Sequence, residues 1–281
     1  MKRREITEAR LISFERYLIR EERSAGTIEK YLRDVRQFSG WLDGAEVTKS
    51  ATSAWKEELI ARGYTSATVN GKLTALNVFL VLLGWQDCRV KQLKHQRQLF
   101  RDASRELTRE EYERLVRTAE HLGRERLSLL LESICATGIR VSEVKYLTLE
   151  AALCGKAEVS LKGKIRTILL PGKLCRKLQK YAKKQKIASG ELFLTGSGKS
   201  LSRKQIWAEM KALCRAAEVE PSKVFPHNLR HLFARCFYRV CRDIARLADL
   251  LGHSSVETTR IYLISSGSEH AKTLNRLQLV S

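Results

Sequence analysis

Proline is scarce in this chain. Only Pro171, Pro221 and Pro226 occur among 281 residues, so no proline interrupts the first 170 positions, and that part is free to form unbroken helices. Long apolar runs are also missing. The longest, Val78 to Leu83, falls far short of the roughly 20 residues that a membrane helix needs, and the basic, Glu-containing N-terminus has no signal-peptide apolar segment. No G-x-x-x-x-G-K-[ST] loop is present to cradle a nucleoside triphosphate. The seven cysteines (Cys88, Cys135, Cys154, Cys175, Cys214, Cys236, Cys241) are odd in number and form no C-x-x-C pair, so they read as reduced, mostly buried thiols. Cys236 and Cys241 lack a second pair of ligands at finger-like spacing, which speaks against a zinc site, and no metal or cofactor is called for. The expectation is a cytoplasmic protein with no membrane segment.

What the chain has in excess is positive charge. Lys and Arg number 52 against 31 Asp and Glu, a formal charge of +21, and so large an imbalance asks for a polyanionic partner, nucleic acid first. Residues 1–107 carry +6 and residues 108–281 carry +15. The C-terminal part should therefore make most of the phosphate-backbone contact. With 43% hydrophobic residues the chain can bury a real core, and its length suggests two domains.

The first domain, residues 1–88, reads as all helix. Ser24 caps a segment in which Ile28, Tyr31, Leu32, Val35, Phe38 and Trp41 recur at three- and four-residue steps. Thr65 or Ser66 opens another, with Val69, Leu73, Leu76, Phe79, Leu80 and Leu83 as its buried stripe; Asn70 and Lys72 are left to a polar face, and Gly84 ends the helix. Residues 89–106 turn to Lys, Arg, Gln and His with few apolar anchors, which predicts a basic, solvated linker. The second domain, residues 107–281, opens on a capping box, Thr108 with Glu111. Helical text follows to Thr137. Glu158 to Leu161 and Arg166 to Leu170, around Lys162-Gly163-Lys164, read as a β-hairpin, after which helix dominates again. The fold class is mainly α, with a mixed α/β second domain holding a small antiparallel hairpin.

Three short segments carry chemistry-bearing side chains. In Thr137-Gly138-Ile139-Arg140-Val141-Ser142-Glu143, the glycine permits a sharp turn from which Arg140 emerges beside Glu143. In Pro226-His227-Asn228-Leu229-Arg230-His231, a helix start puts His227 and Arg230 on one face. In Leu251-Gly252-His253-Ser254-Ser255-Val256-Glu257-Thr258-Thr259-Arg260-Ile261-Tyr262, Gly252 breaks one helix, Ser254 or Ser255 caps the next, and Tyr262 falls about two turns into it. Read singly, each has a plain structural explanation: a surface Arg–Glu pair, a packed His and Arg, a half-buried tyrosine with its hydroxyl bonded.

Taken in order, Gly-Ile-Arg140-Val-Ser-Glu, the hairpin Lys-Gly, His227-x-x-Arg230, Leu-Gly-His253 and Tyr262 nine residues later resemble the tyrosine recombinase (phage integrase-like) family over nearly the whole chain. The resemblance is to the simpler two-domain, Xer-like architecture: a helical, SAM-like core-binding domain and a catalytic domain, with no room for an extra N-terminal arm-binding domain. It implies a site-specific recombinase that cleaves and rejoins duplex DNA. Tyr262 would attack the scissile phosphate to give a 3′-phosphotyrosyl link and a free 5′-hydroxyl, and that ester keeps the bond energy for resealing without ATP. Arg140 and Arg230 would hold the non-bridging oxygens with planar, permanently charged forks. A phenol keeps its proton at neutral pH, so a base is needed, and His227 is the candidate. His253 would donate a bond to the phosphate, and Glu143 would orient Arg140. His231 is left as a packing residue. The leaving oxygen would take its proton from a hairpin lysine; the family's Lys-Gly pattern selects Lys162, while Lys164 lies two positions on, and strand alternation does not separate them.

By the same resemblance the two domains clamp duplex DNA. Thr27, Lys30, Tyr31, Thr68, Asn70 and Lys72 become candidate contacts in the first. Arg203, Lys204 and Gln205, after a cap at Ser202, are the candidate major-groove readers of the second. A C-terminal tail from about residue 265, with Ala271, Leu274, Leu277 and Leu279 after a polar break, would dock on a neighbouring protomer, giving a homotetramer on paired DNA sites, or would fold back on its own domain. The expected role is integration and excision of a mobile element. The alternatives are chromosome dimer resolution, DNA inversion, relaxation by a type IB topoisomerase, and a DNA-binding protein without catalysis.

Overall fold

The structure, a computed structural model, describes residues 3–94, 103–161, 164–253, 255–262 and 275. Its contacts divide the chain into two compact units, residues 1–97 and 98–281. No helix among the described residues is long and apolar enough to cross a membrane.

The first unit is built from four helices, α1 (Glu8–Arg20), α2 (Ala25–Leu42), α3 (Lys49–Ala61) and α4 (Ser66–Leu82). Threonine starts three of them. Thr7, Thr48 and Thr65 accept hydrogen bonds from the backbone N–H groups of Arg10, Ala51 and Thr68, which would otherwise be orphaned. The apolar stripes meet inside: Phe14, Phe38, Trp55 and Phe79 are fully buried, each such side chain contributing about 1.5–3 kcal/mol. Phe14 meets Phe79 edge-on at 5.1 Å between ring centroids, a favoured aromatic geometry. From the α4 stripe, Val69, Leu73, Leu76, Phe79 and Leu80 are buried, as the spacing predicts.

Residues 89–94 differ from the solvated linker expected of them. Val90 is buried. The Asn77 side chain accepts from the Val90 N–H at 2.9 Å and donates to the Val90 carbonyl at 2.8 Å. Asn70 does the same to Leu93, at 2.8 and 3.0 Å. Two asparagines a helical repeat apart on α4 thus substitute for a strand partner, satisfying backbone groups that a composition rich in Lys and Gln assigns to water. Replacing Asn77 by Ala removes two bonds worth about 1 kcal/mol each, so the Val90 amide should exchange with solvent about tenfold faster or more, read by hydrogen–deuterium exchange.

In the second unit the order is α5 (Arg109–His121), α6 (Glu125–Thr137), a 3₁₀ turn (Val141–Tyr146), α7 (Leu149–Cys154), β1 (Lys156–Leu161), β2 (Lys164–Leu169), α8 (Gly172–Lys184), α9 (Arg203–Cys214), α10 (Pro226–Cys241), α11 (Ile244–Leu251) and α12 (Val256–Arg260). The Thr108/Glu111 capping box is formed. Leu130, Ile134, Leu178, Leu213 and Leu229 are fully buried in one core, with α6 packed on α5, α8 and α10. Asn228 ties the start of α10 to the carbonyls of Arg105 (2.9 Å) and Lys223 (2.7 Å). Residue 105 is thus already fixed to the second unit.

The hairpin is antiparallel with Leu161 opposite Lys164 and Val159 opposite Arg166, so both strands extend beyond the β-branched runs that signal them. Ala157 and Val159 face inward while Lys156, Glu158 and Ser160 are exposed; a ribbon wet on one face tolerates this polarity. All seven cysteines are free: Cys88, Cys175 and Cys214 are buried, Cys135 and Cys236 half-buried, and Cys154 and Cys241, each at a helix end, exposed.

Candidate active site

Arg140 owes its position to a glycine. Helix α6 ends at Gly138 in the left-handed conformation (φ 64°), and a Cβ there would lie 2.4 Å from Cδ1 of Phe233; only glycine lets α6 and α10 approach so closely. The chain then enters the 3₁₀ turn, and Glu143 reaches back. One carboxylate oxygen accepts from the Arg140 backbone N–H at 2.7 Å, the other from Arg140 Nη1 at 3.0 Å. Arg140 Nη2 donates to the carbonyl of Gly252 at 3.1 Å. The guanidinium is anchored on its inner edge while its side chain keeps 41% exposure, an arrangement able to receive an anion.

Arg230, on the first turns of α10, is 2% exposed. It donates to the carbonyl of Gly138, to that of Leu251 at 2.7 Å, and to Nε2 of His253 at 2.9 Å. Burial pushes its guanidinium below the usual range, and the neighbouring Tyr262 hydroxyl pulls the other way. A guanidinium has no acceptor. His253 Nε2 must therefore accept, which puts the ring proton on Nδ1, donated to Thr259 Oγ1 at 2.8 Å. His253 is thus a neutral acceptor here, whereas the sequence reading makes it a phosphate donor; donation through Nε2 requires that ring to exchange or gain a proton. Burial first, then the charges of Arg230, Arg140 and Arg166, push its pKa down to about 4.

Between the ordinary histidine pKa of about 6.5 and about 4 the unfolded chain binds the proton that the folded chain refuses. The stability tied to neutral His253 is therefore complete above that upper value and is lost as pH falls through the window. Melting temperature measured across it should fall less steeply in His253→Gln than in wild type.

Tyr262 closes the group. The helix expected to carry it two turns deep is shorter than the capping pattern suggests: α12 ends at Arg260, and Tyr262 follows in a turn, its N–H bonded to Thr259 at 3.0 Å. Its ring is 4% exposed, nearly parallel to His253 at 5.9 Å, edge-on to His231 at 4.5 Å and 6.5 Å from His227. The His231 ring thus packs against the tyrosine as well as against His227. A cleft of about 370 Å³ is lined by Arg140, His227 and Arg230 together with Arg203 and Trp207 of α9.

The candidate DNA contacts divide. Arg203 and Lys204 are exposed at the start of α9, but the Gln205 side-chain oxygen accepts from the Ser202 N–H at 2.9 Å and completes a capping box, so that atom is taken before any base arrives. The Asn70 side chain is likewise bonded to the Leu93 backbone. Lys30 and Lys72 both bind the buried Asp34, at 2.6 and 3.4 Å, and Lys72 keeps only 12% side-chain exposure. Buried acid draws lysines inward, a pairing invisible to helical periodicity. The hydroxyls of Thr27 and Thr68 bond those of Ser24 and Thr65, and Tyr31 is half-buried. Lys162 and the tail from residue 265, apart from 275, lie outside the described residues.

One residue that periodicity and motif did not single out joins the site. Arg166 of β2 shares the inward side of the strand with Ile168 and Leu170, while Ile165 and Leu169 are 78% and 63% exposed. Its Nη2 meets Glu143 at 2.6 Å and its Nη1 donates to the carbonyl of Leu250 at 3.2 Å. Strand alternation counted back from Leu170 could have found it: a charge on the inward side demands an acceptor.

Residues 105–269 match the phage integrase family, and residues 11–87 match the phage integrase N-terminal SAM-like domain. Among sequences, the chain is similar to tyrosine recombinase XerA of Pyrococcus furiosus, 29% identical with 96% of this chain and 94% of that one covered. To tyrosine recombinase XerC of Roseiflexus castenholzii it is 31% identical, covering 89% and 87%. Among solved structures, a lambda integrase tetramer bound to a Holliday junction shares the fold at a TM-score of 0.71 and 18% identity, over 90% of this chain and 76% of that one. The XerH site-specific recombinase bound to its difH substrate does so at 0.69 and 18%, over 95% and 84%. With this match running from before Arg140 to beyond Tyr262, the chain belongs to the phage integrase family of tyrosine recombinases.

Proposed function

We propose that this protein is a site-specific DNA recombinase that cuts and rejoins duplex DNA through a covalent bond between Tyr262 and a backbone phosphate. The observation that carries the proposal is the convergence, within one chain, of Arg140, His227, Arg230, His253 and Tyr262 from three separate sequence segments. Arg140 and Arg230 take the non-bridging oxygens, whose negative charge grows in the transition state; two pre-set forks meet that charge without reorganisation. Tyr262 gives up its phenolic proton as its oxygen attacks phosphorus, and His227 accepts that proton. His253 then turns its proton toward phosphate. Burial first and then the neighbouring cations hold the ring neutral; the incoming anion offsets the cations' share, which raises the ring's proton affinity. The 5′-oxygen leaves with a proton from Lys162, or from Lys164 two positions on. The phosphotyrosyl ester, attacked by the 5′-hydroxyl of another strand, reseals the backbone and returns the tyrosine. Integration, excision, inversion and dimer resolution all use these transesterifications.

Duplex DNA is the partner, held by the net positive charge of the chain and by Arg203 and Lys204 beside the cleft. Exchange between two duplexes needs a cut on each of four strands, so the working assembly is four protomers on paired sites. The tail from about residue 265 is the candidate link between them. The test is trapping on nicked duplexes taken from the DNA flanking the gene, in which loss of a short 5′-hydroxyl fragment blocks reversal. A denaturation-resistant protein–DNA adduct is expected from wild type and none from Tyr262→Phe. An undiminished adduct in Tyr262→Phe would remove the tyrosine from the mechanism.

A further inference from the structure

We infer that Arg166 is a positioning residue for strand cleavage: its guanidinium ties the hairpin strand β2 to Glu143 and to the α11–α12 turn, and thereby sets His253 and Arg140 in register. The inference rests on the recombinase reading above and adds a residue to it. Three contacts carry it. Glu143 is shared, its Oε2 taking both the Arg140 N–H and Arg166 Nη2, at 2.7 and 2.6 Å, while its Oε1 holds Arg140 Nη1. The Leu250 carbonyl at the end of α11 is held by Arg166 Nη1. Gly252 then lies against the arginine stem: a Cβ on Gly252 would come within 2.5 Å of Arg166 Cδ. The carbonyl of that same glycine is the acceptor for Arg140 Nη2, and the next residue is His253. Gly252 is therefore clasped between two arginines, one of which faces the anion site and the other the hairpin.

Stability alone does not account for an arginine here. Its Nε is buried and has no acceptor among the described residues. A buried ion pair is often no more stabilising than apolar side chains of similar volume. The other inward positions on this hairpin, Ala157, Val159 and Ile168, are apolar and buried. What an apolar residue cannot do is span a carboxylate and a carbonyl on two different elements with one planar fork. Lys164 is the first residue of this strand, and Lys162 stands two positions before it in the sequence, so the tether joins the strand next to the candidate proton donors to the residues that hold the phosphate.

The test follows His253 in the full chain with ring-labelled histidine, assigning its signal by loss in His253→Gln. Arg140, Arg166, Arg230 and His227 are the charged and titratable groups acting on that ring. Wild type is expected to keep it neutral down to about pH 4. In Arg166→Lys, which retains the charge but cannot reach both acceptors, the midpoint should rise by about one unit as the turn loosens and water enters. The His121 signal, from α5, should stay in place and so report an intact fold. On a duplex that yields the Tyr262 adduct, Arg166→Lys should cut the first-turnover rate about tenfold or more while affinity changes by less than about threefold. Wild-type titration of His253 together with wild-type cleavage in Arg166→Lys would overturn the inference. Should wild type form no adduct on any duplex, the recombinase reading fails by itself, and the ring titration still decides whether Arg166 sets the turn.

Discussion

Arg230→Lys should lower the first-turnover rate of adduct formation by about 10²–10³ while leaving duplex affinity almost unchanged. The reason lies in how the guanidinium is held. It is 2% exposed and directs hydrogen bonds to the carbonyls of Gly138 and Leu251 and to His253. Two of those acceptors belong to turns that close helices α6 and α11, so the arginine links the segments that supply Arg140 and Tyr262. A lysine brings the charge but only one nitrogen, and a point charge cannot bond those acceptors and a phosphate oxygen in one plane. Affinity is expected to survive because it is spread over many phosphate contacts along the duplex, whereas the transition-state charge gathers at one phosphate. Rapid-quench cleavage with a parallel binding isotherm separates the two. Equal losses in rate and affinity would mean that Arg230 acts on bound DNA before the reaction, with no special role in the transition state.

Glu143→Ala should destabilise the second unit by about 3–5 kcal/mol, the cost of stranding a buried charge. The carboxylate is 2% exposed and bonds Arg140 twice and Arg166 once. Without it Arg166, 15% exposed in its side chain, has no counter-charge, and the Arg140 N–H loses its acceptor. Glu143→Gln keeps the shape and one acceptor oxygen, so its loss should be smaller. Urea denaturation monitored at Trp207 reports on this unit, since the other tryptophans, Trp41, Trp55 and Trp85, belong to residues 1–97. If the alanine variant unfolds at the wild-type midpoint, the Glu143 cluster contributes nothing net, and the ordering role given to it here is wrong.

Periodicity revealed most of the helical framework, because a helix buries one stripe and the stripe is written every three or four residues: Val69, Leu73, Leu76 and Leu80 are all inside. The catalytic candidates were legible for another reason. Arg140, His227, Arg230, His253 and Tyr262 each sit at a fixed offset from a turn-forming residue, Gly138, Pro226 or Gly252, and the structure brings their segments together as the family resemblance implies. What stayed hidden depends on partners distant in sequence. Asn70 and Asn77 look like an ordinary polar face until Leu93 and Val90 are seen beside them. Lys72 looks solvated until Asp34 is found buried under it. Arg166 lies in a strand whose aliphatic residues invite the opposite choice of inward face, and only the acceptors on Glu143 and Leu250 explain why the charge points in. The proton position on His253 could not be read from order and spacing at all; it follows from Arg230 having only donors to offer.

The most direct test of the account is to identify the amino acid that carries the DNA. The trapped adduct, trimmed with nuclease and cleaved into peptides, should yield by mass spectrometry a single modified peptide. The expected modification is a nucleotide joined through its 3′-phosphate to the oxygen of Tyr262, released on treatment with a tyrosyl-phosphodiester hydrolase. A nucleotide on another side chain, or one attached through its 5′-phosphate, would contradict it.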